Sequence, residues 1–127
     1  MPTPLFVYGT LTSLGSKHHL LKSARAVGHA TIAGRLFDLG RYPGVVRDSS
    51  RGRRVFGELY EIPANDAPRV LQKLDKYEGA GYDRKRAFVT LKSGRRRIAW
   101  VYVLRRKPTK IGQELFSGRY RKSRGAA

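Results

Sequence analysis

Cysteine is absent from the 127 residues of this sequence, and histidine occurs only three times. The lack of cysteine excludes disulfide bonds, thiolate nucleophiles, iron–sulfur clusters and cysteine-ligated zinc sites. The histidines show none of the spacings typical of metal ligands, so we predict no metal site. No apolar run reaches the roughly 18 residues of a transmembrane helix. The first ten residues also lack the charged start and apolar stretch of a signal peptide, so we expect a cytoplasmic protein without membrane contact.

Acidic residues are also few: nine Asp and Glu stand against 27 Lys and Arg, which gives a net charge of +18. Such a charge attracts polyanions, so nucleic acid is a partner to consider. We do not favour it, because the basic residues are spread along the chain without an aromatic RNA-binding signature or zinc-finger spacing. The 40% hydrophobic content is enough for one modest core. We predict one domain over residues 1–121 and a flexible basic tail over 122–127, with the oligomeric state left open.

Hydrophobic periodicity predicts more strands than helices. One main helix begins at Asn65 or Asp66, which can cap it, and ends near Gly79. A short helix is predicted within residues 17–24, and residues 92–94 form a hairpin turn. The predicted strands occupy residues 5–8, an interrupted segment 27–39, 45–46, 55–62, 82–91 and 98–104. The pattern predicts an α+β fold, a compact mixed β-barrel with one main helix beside it.

The loop after the first strand contains Tyr8, Gly9, Thr10 and Leu11. Glycine lets the backbone approach a ligand closely, and successive N–H groups in such a loop can bind an anion. The alternative is an ordinary turn at the end of a strand, since short glycine motifs are weak signals by themselves.

Two carboxylates, Asp75 and Glu78, stand three residues apart at the end of the main helix, so they share one face. A carboxylate near a helix C-terminus faces the negative end of the helix dipole, which raises its pKa. A raised pKa makes a carboxyl group a better proton shuttle near neutral pH. The alternative is a solvent-exposed pair of carboxylates that balances the charge of neighbouring lysines and Arg84.

Several aromatic and basic residues allow two interpretations. The loop over residues 40–44 is either a pocket wall with an aromatic face or a plain turn. Tyr82 and Arg84 point to the same side of a strand, where they either contact a ligand or, for Arg84, pair with Asp75. Tyr102 is either a core aromatic or a hydroxyl that faces a pocket.

The ordered combination of these motifs resembles the gamma-glutamylcyclotransferase-like superfamily, and within it the short branch that includes gamma-glutamylamine cyclotransferases. The resemblance covers about residues 5–104. It rests on Val7-Tyr8-Gly9-Thr10-Leu11, Tyr42-Pro43-Gly44, Gly57-Glu58-Leu59-Tyr60, Leu74-Asp75-Lys76-Tyr77-Glu78-Gly79, Tyr82-Asp83-Arg84 and Ala99-Trp100-Val101-Tyr102.

The resemblance implies a mixed barrel of six or seven strands with one main helix and one or two short flanking helices. It implies that Glu78 is the catalytic general acid/base. It places the substrate against Tyr8, Gly9, Thr10, Leu11, Tyr42, Pro43, Gly44, Tyr82 and Tyr102. The tail over residues 116–120 departs from the family pattern, because Arg119 stands where the family often has an acidic residue.

The implied reaction cyclises a γ-glutamyl group to 5-oxoproline and releases an amine or amino acid. Because the substrate's own α-amino group attacks its γ-carbonyl, this reaction requires neither a protein nucleophile nor a metal or organic cofactor. The expected partner is thus a small γ-glutamyl substrate, whose leaving group the sequence does not identify. Two alternatives stay open: a non-catalytic module that binds γ-glutamyl ligands on the same fold, and a basic nucleic-acid-binding β-barrel.

Overall fold

A computed structural model describes residues 1–9, 11–12, 17–40, 42–48, 52–108 and 114–120. Within them, eight strands, one α-helix and one short 3-10 helix follow one another along the chain. Their bounds are β1 Thr3–Val7, the 3-10 helix His18–Leu21, β2 Arg25–Ala33, β3 Arg35–Asp38, β4 Pro43–Val46, β5 Arg54–Ile62, α1 Ala67–Glu78, β6 Tyr82–Leu91, β7 Arg96–Leu104 and β8 Glu114–Leu115.

The strands form a closed barrel and a smaller second sheet. The barrel order is β1-β5-β2-β6-β7, and the second sheet has the order β4-β3-β8. Leu5 of β1 pairs with Trp100 of β7 in parallel and closes the barrel, whereas the other barrel pairs are antiparallel. The predicted α+β fold with a mixed barrel and one main helix is confirmed. Five of the eight strands build the barrel, and the other three build the second sheet.

The predicted interrupted strand 27–39 is two strands that lie in different sheets. β2 stays in the barrel and carries a bulge between Ala26 and Gly28, where Gly28 has a φ of 153°. The chain then passes through Gly34 into β3 of the second sheet. A Cβ atom at Gly34 would lie only 3.1 Å from the carbonyl oxygen of Val46, so a side chain at the crossing point would crowd β4.

Helix α1 packs against the outside of the barrel and ends at Glu78. Its buried face consists of Ala67, Val70, Leu71 and Leu74. Of the two predicted N-cap residues, Asn65 and Asp66, the structure has Asp66 at this position, although its side chain makes no capping hydrogen bond. Gly79 ends the helix with a φ of 79°, and its N–H group donates to the carbonyl of Asp75 at 3.0 Å. Helix α1 is not long and apolar enough to cross a membrane, and the described residues contain no other helix that is.

Strand β1 separates two hydrophobic clusters and therefore links the barrel interior to the helix. Phe6 of β1 and Tyr8, which directly follows the strand, belong to the cluster inside the barrel. Leu5 and Val7 point the other way, into the cluster between the barrel and α1 that also contains Leu74. This period-two alternation places successive side chains on opposite faces of β1, up to the loop of residues 8–12, which we call the β1 loop.

Beyond Arg105 the sequence pattern predicts only turns, but the structure contains β8. Its Glu114 is buried and accepts hydrogen bonds from the guanidinium groups of Arg35, at 2.6 Å from Nη2, and Arg53. The following turn brings Gly118 to β5, where its carbonyl accepts a hydrogen bond from the Phe56 N–H at 2.8 Å. The predicted flexible tail, residues 122–127, lies outside the described residues.

Candidate active site

A pocket of about 200 Å³ opens where the end of α1 meets the β1 loop. Four further segments complete its wall: the end of β1, the start of β4 with the residue before it, the start of β6, and β7. Its lining residues are Phe6, Val7, Tyr8, Gly9, Leu11, Tyr42, Pro43, Tyr77, Glu78, Tyr82 and Tyr102.

The structure brings most of the predicted site residues together in this pocket. The predicted residues that line it are Tyr8, Gly9, Leu11, Tyr42, Pro43, Glu78, Tyr82 and Tyr102. Thr10 lies outside the described residues. Gly44 does not line the pocket. It packs against Leu104, whose Cδ1 atom would lie 2.5 Å from a Cβ atom at this position, so a side chain there would collide with β7.

Two glycine-containing loops meet at the pocket rim. A Cβ atom on Gly9 would lie 2.6 Å from Cγ of Pro43, so glycine allows the β1 loop to touch the start of β4. The β1 loop is held as a turn by Thr12, whose N–H and hydroxyl groups both donate to the carbonyl of Gly9, at 3.1 and 2.7 Å. His18 supports it from the other side, with Nδ1 3.0 Å from the carbonyl oxygen of Leu11.

Three tyrosine hydroxyl groups in the pocket donate their protons to protein acceptors. Tyr8 donates to the carbonyl of Tyr102 at 2.6 Å, and Tyr82 donates to the carbonyl of Pro43 at 2.5 Å. Tyr102 donates to Oδ1 of Asp75 at 2.7 Å. Mainly because they are buried, all three hydroxyls have a pKa well above the usual range of tyrosine, so they stay protonated near neutral pH. The tyrosines therefore shape the pocket and offer lone pairs, but they do not act as bases.

Glu78 is the pocket residue whose ionisation falls near neutral pH. Its carboxylate is half-buried, and burial raises its pKa to about 7. The direction matches the prediction, although the cause is burial rather than the helix terminus. No other described residue donates a hydrogen bond to this carboxylate or forms an ion pair with it. A carboxylate in this state can accept a proton from a ligand and return it.

Asp75 has the opposite environment, although it lies only one turn before Glu78. Arg84 donates to both of its oxygens, from Nε at 2.9 Å and from Nη2 at 3.1 Å. These hydrogen bonds are the main cause that lowers the pKa of Asp75. The Arg84 guanidinium also lies over the Trp100 ring, 4.4 Å from its centroid. Of the two interpretations of Arg84, the structure supports the pairing with Asp75, which ties the end of α1 to the barrel.

Three lining residues were not predicted as site residues: Phe6, Val7 and Tyr77. Tyr77 is 38% exposed and directly precedes Glu78, but its helical spacing from Val70 and Leu74 predicts a residue of the packed face of α1. Phe6 and Val7 carry no signal beyond their place in a buried strand. Within the described residues, no group of three or more His, Asp and Glu side chains is arranged to hold a metal ion.

Comparison with known proteins identifies the family. The family described as "Gamma-glutamyl cyclotransferase, AIG2-like" matches residues 5–122. Gamma-L-glutamyl-butirosin B gamma-glutamyl cyclotransferase of Niallia circulans is 36% identical over 109 residues, which cover 80% of this chain and 67% of that protein. Gamma-glutamylaminecyclotransferase of Bos taurus is 36% identical over 104 residues, or 72% of this chain and 59% of the bovine protein.

The fold also has solved counterparts. The crystal structure of an AIG2-like protein from Mus musculus superposes with a TM-score of 0.78 at 21% identity, covering 94% of this chain and 88% of that one. At this identity the likeness concerns the fold, whereas the family match and the two relatives concern the sequence. Together they establish that the chain belongs to the AIG2-like gamma-glutamyl cyclotransferase family.

Proposed function

We propose that this protein is a cytoplasmic γ-glutamylcyclotransferase that converts a γ-glutamyl compound into 5-oxoproline and a free amine or amino acid. The observation that carries the proposal is the Glu78 carboxylate, half-buried in the pocket with a pKa raised to about 7. The two relatives are named for γ-glutamyl cyclotransfer with different leaving groups, butirosin B and an amine. The shared part of their substrates is the γ-glutamyl group.

In this proposal the β1 loop holds the α-carboxylate of the substrate. The backbone N–H groups of Gly9, Thr10 and Leu11 are the donors, as in other loops that bind anions through successive amides. Gly9 and Leu11 line the pocket that also contains Glu78, which supports this arrangement. The α-ammonium group of the bound substrate then faces the Glu78 carboxylate. The pairing of the α-ammonium group with the Glu78 carboxylate also gives the substrate a defined orientation.

Glu78 moves one proton in each direction. Its carboxylate takes a proton from the α-ammonium group, and the resulting amine attacks the γ-carbonyl carbon to close a five-membered ring. The protonated Glu78 then gives its proton to the nitrogen of the leaving group, and the original amide bond breaks. After ring closure the ring nitrogen still carries one proton more than the 5-oxoproline product, and it releases this proton to solvent. The freed amine takes up one proton from solvent, so protons balance overall.

The size of the catalytic effect follows from two contributions. Alignment of an intramolecular nucleophile and its carbonyl can offset about 7–11 kcal/mol of the barrier. General acid/base catalysis by a positioned carboxyl group adds roughly 10²–10⁴-fold. Because the nucleophile belongs to the substrate, the reaction as proposed needs no metal and no organic cofactor.

A product assay tests this function. The purified protein is incubated with a panel of γ-glutamyl amino acids and γ-glutamyl amines, and 5-oxoproline is quantified. We expect catalytic release from at least one member of the panel. If these compounds bound without any release of 5-oxoproline, the protein would instead be the non-catalytic binding module considered above.

A further inference from the structure

A second, larger cavity of about 690 Å³ lies on the other side of the β1 loop. It is bounded by β2, β5, the end of β6 and the segment after β8. Its lining residues are Tyr8, Thr12, His29, Ala30, Thr31, Arg54, Phe56, Gly57, Glu58, Thr90, Leu91, Lys92, Arg119 and Tyr120. Apart from Tyr8, none of these residues lines the first pocket or was predicted as a site residue.

The two cavities adjoin at Tyr8, which lines both of them. The β1 loop is their common border, because Gly9 and Leu11 face the first cavity and Thr12 faces the second. Tyr120 of the second cavity packs against the same barrel cluster as Tyr8 and is close enough to Tyr82 to influence its pKa. A ligand bound at Glu78 would have to extend past Tyr8 to reach the second cavity.

The two cavities differ in volume. Cavities that enclose small-molecule ligands usually measure about 300–1,000 Å³. The first pocket, at about 200 Å³, is smaller than this range and suits the γ-glutamyl group alone. The second, at about 690 Å³, has room for a leaving group of considerable size.

The charged groups of the second cavity are mainly cationic. Arg54, Lys92 and Arg119 are exposed at its rim, and His29 stands beside them. Arg119 lies 3.9 Å above the centroid of the Phe56 ring, which holds its guanidinium in place.

Among the described residues, the ion pairs involve other arginines, and Arg54, Lys92 and Arg119 take part in none of them. Glu58 is the one described carboxylate that lines the cavity, and it accepts a hydrogen bond from the Tyr60 hydroxyl at 2.8 Å.

We infer that the second cavity binds the leaving group of the substrate and selects leaving groups that carry an anionic group, such as the carboxylate of an amino acid or peptide. This inference rests on the proposed cyclotransferase function and narrows its substrate class. The cavity holds three cations against the one Glu58 carboxylate, so a cationic amine would meet a net positive charge, whereas a carboxylate can form charge-assisted hydrogen bonds with the cations.

A matched pair of substrates isolates this effect. γ-Glutamyl-alanine and γ-glutamyl-alaninamide have the same γ-glutamyl group and differ by one carboxylate in the leaving group. For the wild-type protein we expect kcat/KM for 5-oxoproline formation to be about five- to tenfold higher with γ-glutamyl-alanine at low salt. The preference should shrink in about 0.5 M salt, because the cations are exposed and screened.

Substitutions in the second cavity test whether this substrate preference arises there. Arg119→Gln and Lys92→Gln should each lower the ratio of the two kcat/KM values about two- to threefold, and Arg119→Glu should bring it close to one. Arg106→Gln removes one exposed positive charge outside both cavities and should leave the ratio unchanged.

The outcomes separate the two claims. Equal kcat/KM values for both substrates in the wild type, or an unchanged ratio in Arg119→Glu, would refute the anionic leaving group while the reaction itself stands. A lack of 5-oxoproline from both substrates, and from the wider panel, would overturn the proposed function and this inference with it.

Discussion

Replacement of Glu78 by glutamine should abolish most 5-oxoproline formation while the protein stays folded. The amide keeps nearly the same shape but can neither take the proton from the α-ammonium group nor return it to the leaving nitrogen. Loss of this general acid/base contribution predicts a fall in kcat of roughly 10²–10⁴-fold. The measurement is the rate of 5-oxoproline release at saturating substrate, with wild type and Glu78→Gln assayed side by side.

The matched control is Asp83→Asn, which removes a carboxylate outside the pocket that pairs with Arg105 at 2.8 Å. This variant should retain nearly full activity.

Thermal unfolding supplies a second check, because the folded state raises the pKa of Glu78 to about 7 from a usual 4.5. The folded protein therefore holds this proton more tightly than the unfolded chain, and stability declines as the pH rises through this interval. Glu78→Gln should thus unfold at a temperature no lower than wild type at pH 8. Full activity in Glu78→Gln would show that another group moves the protons.

Gly57→Ala should cause a large loss of stability, because the added methyl group has no room between β5 and β1. A Cβ atom at Gly57 would overlap the carbonyl oxygen of Val7 and lie 2.7 Å from Cζ of Phe6. The backbone of β1 would have to move away from β5 at the point where the β1 loop begins. Overpacking against a backbone atom predicts a loss of about 3 kcal/mol or more, with an unfolding temperature lower by about 10 °C or more.

Gly81→Ala is the control for this substitution. A Cβ atom at Gly81 has no neighbour within 4 Å, so alanine should leave the unfolding temperature nearly unchanged. Both variants are compared by thermal unfolding followed by circular dichroism. If Gly57→Ala unfolded within about 2 °C of wild type, β1 and β5 would not be packed as closely as described.

The elements with a strong local signal were predictable from the sequence. Strand β6 has the predicted bounds because Ala87, Val89 and Leu91 alternate with the exposed Phe88. Helix α1 ends where Gly79 stands, since glycine readily adopts a positive φ. Most of the pocket residues were predictable through the ordered motifs that carry the family resemblance. Glu78 stands out because a carboxylate ends the main helix beside a glycine.

Features that depend on distant contacts were not predictable in the same way. The separation of β2 from β3 depends on how closely Gly34 approaches Val46, which no local pattern reveals. Strand β8 has only two residues and exists because the buried Glu114 meets Arg35 and Arg53, which are far apart in sequence. The second cavity unites cations from β5, the β6–β7 turn and the segment after β8, so its charge appears only after folding.

The pH dependence of kcat/KM tests most directly whether the pocket carboxylate acts as the base. Its pKa is raised to about 7 by burial, and only the deprotonated form accepts the α-ammonium proton. With γ-glutamyl-alanine as substrate, kcat/KM should therefore fall about tenfold per pH unit below about pH 7 and level off above it. A profile that stays flat between about pH 5.5 and 8, in protein shown to be folded throughout, would contradict Glu78 as the catalytic base.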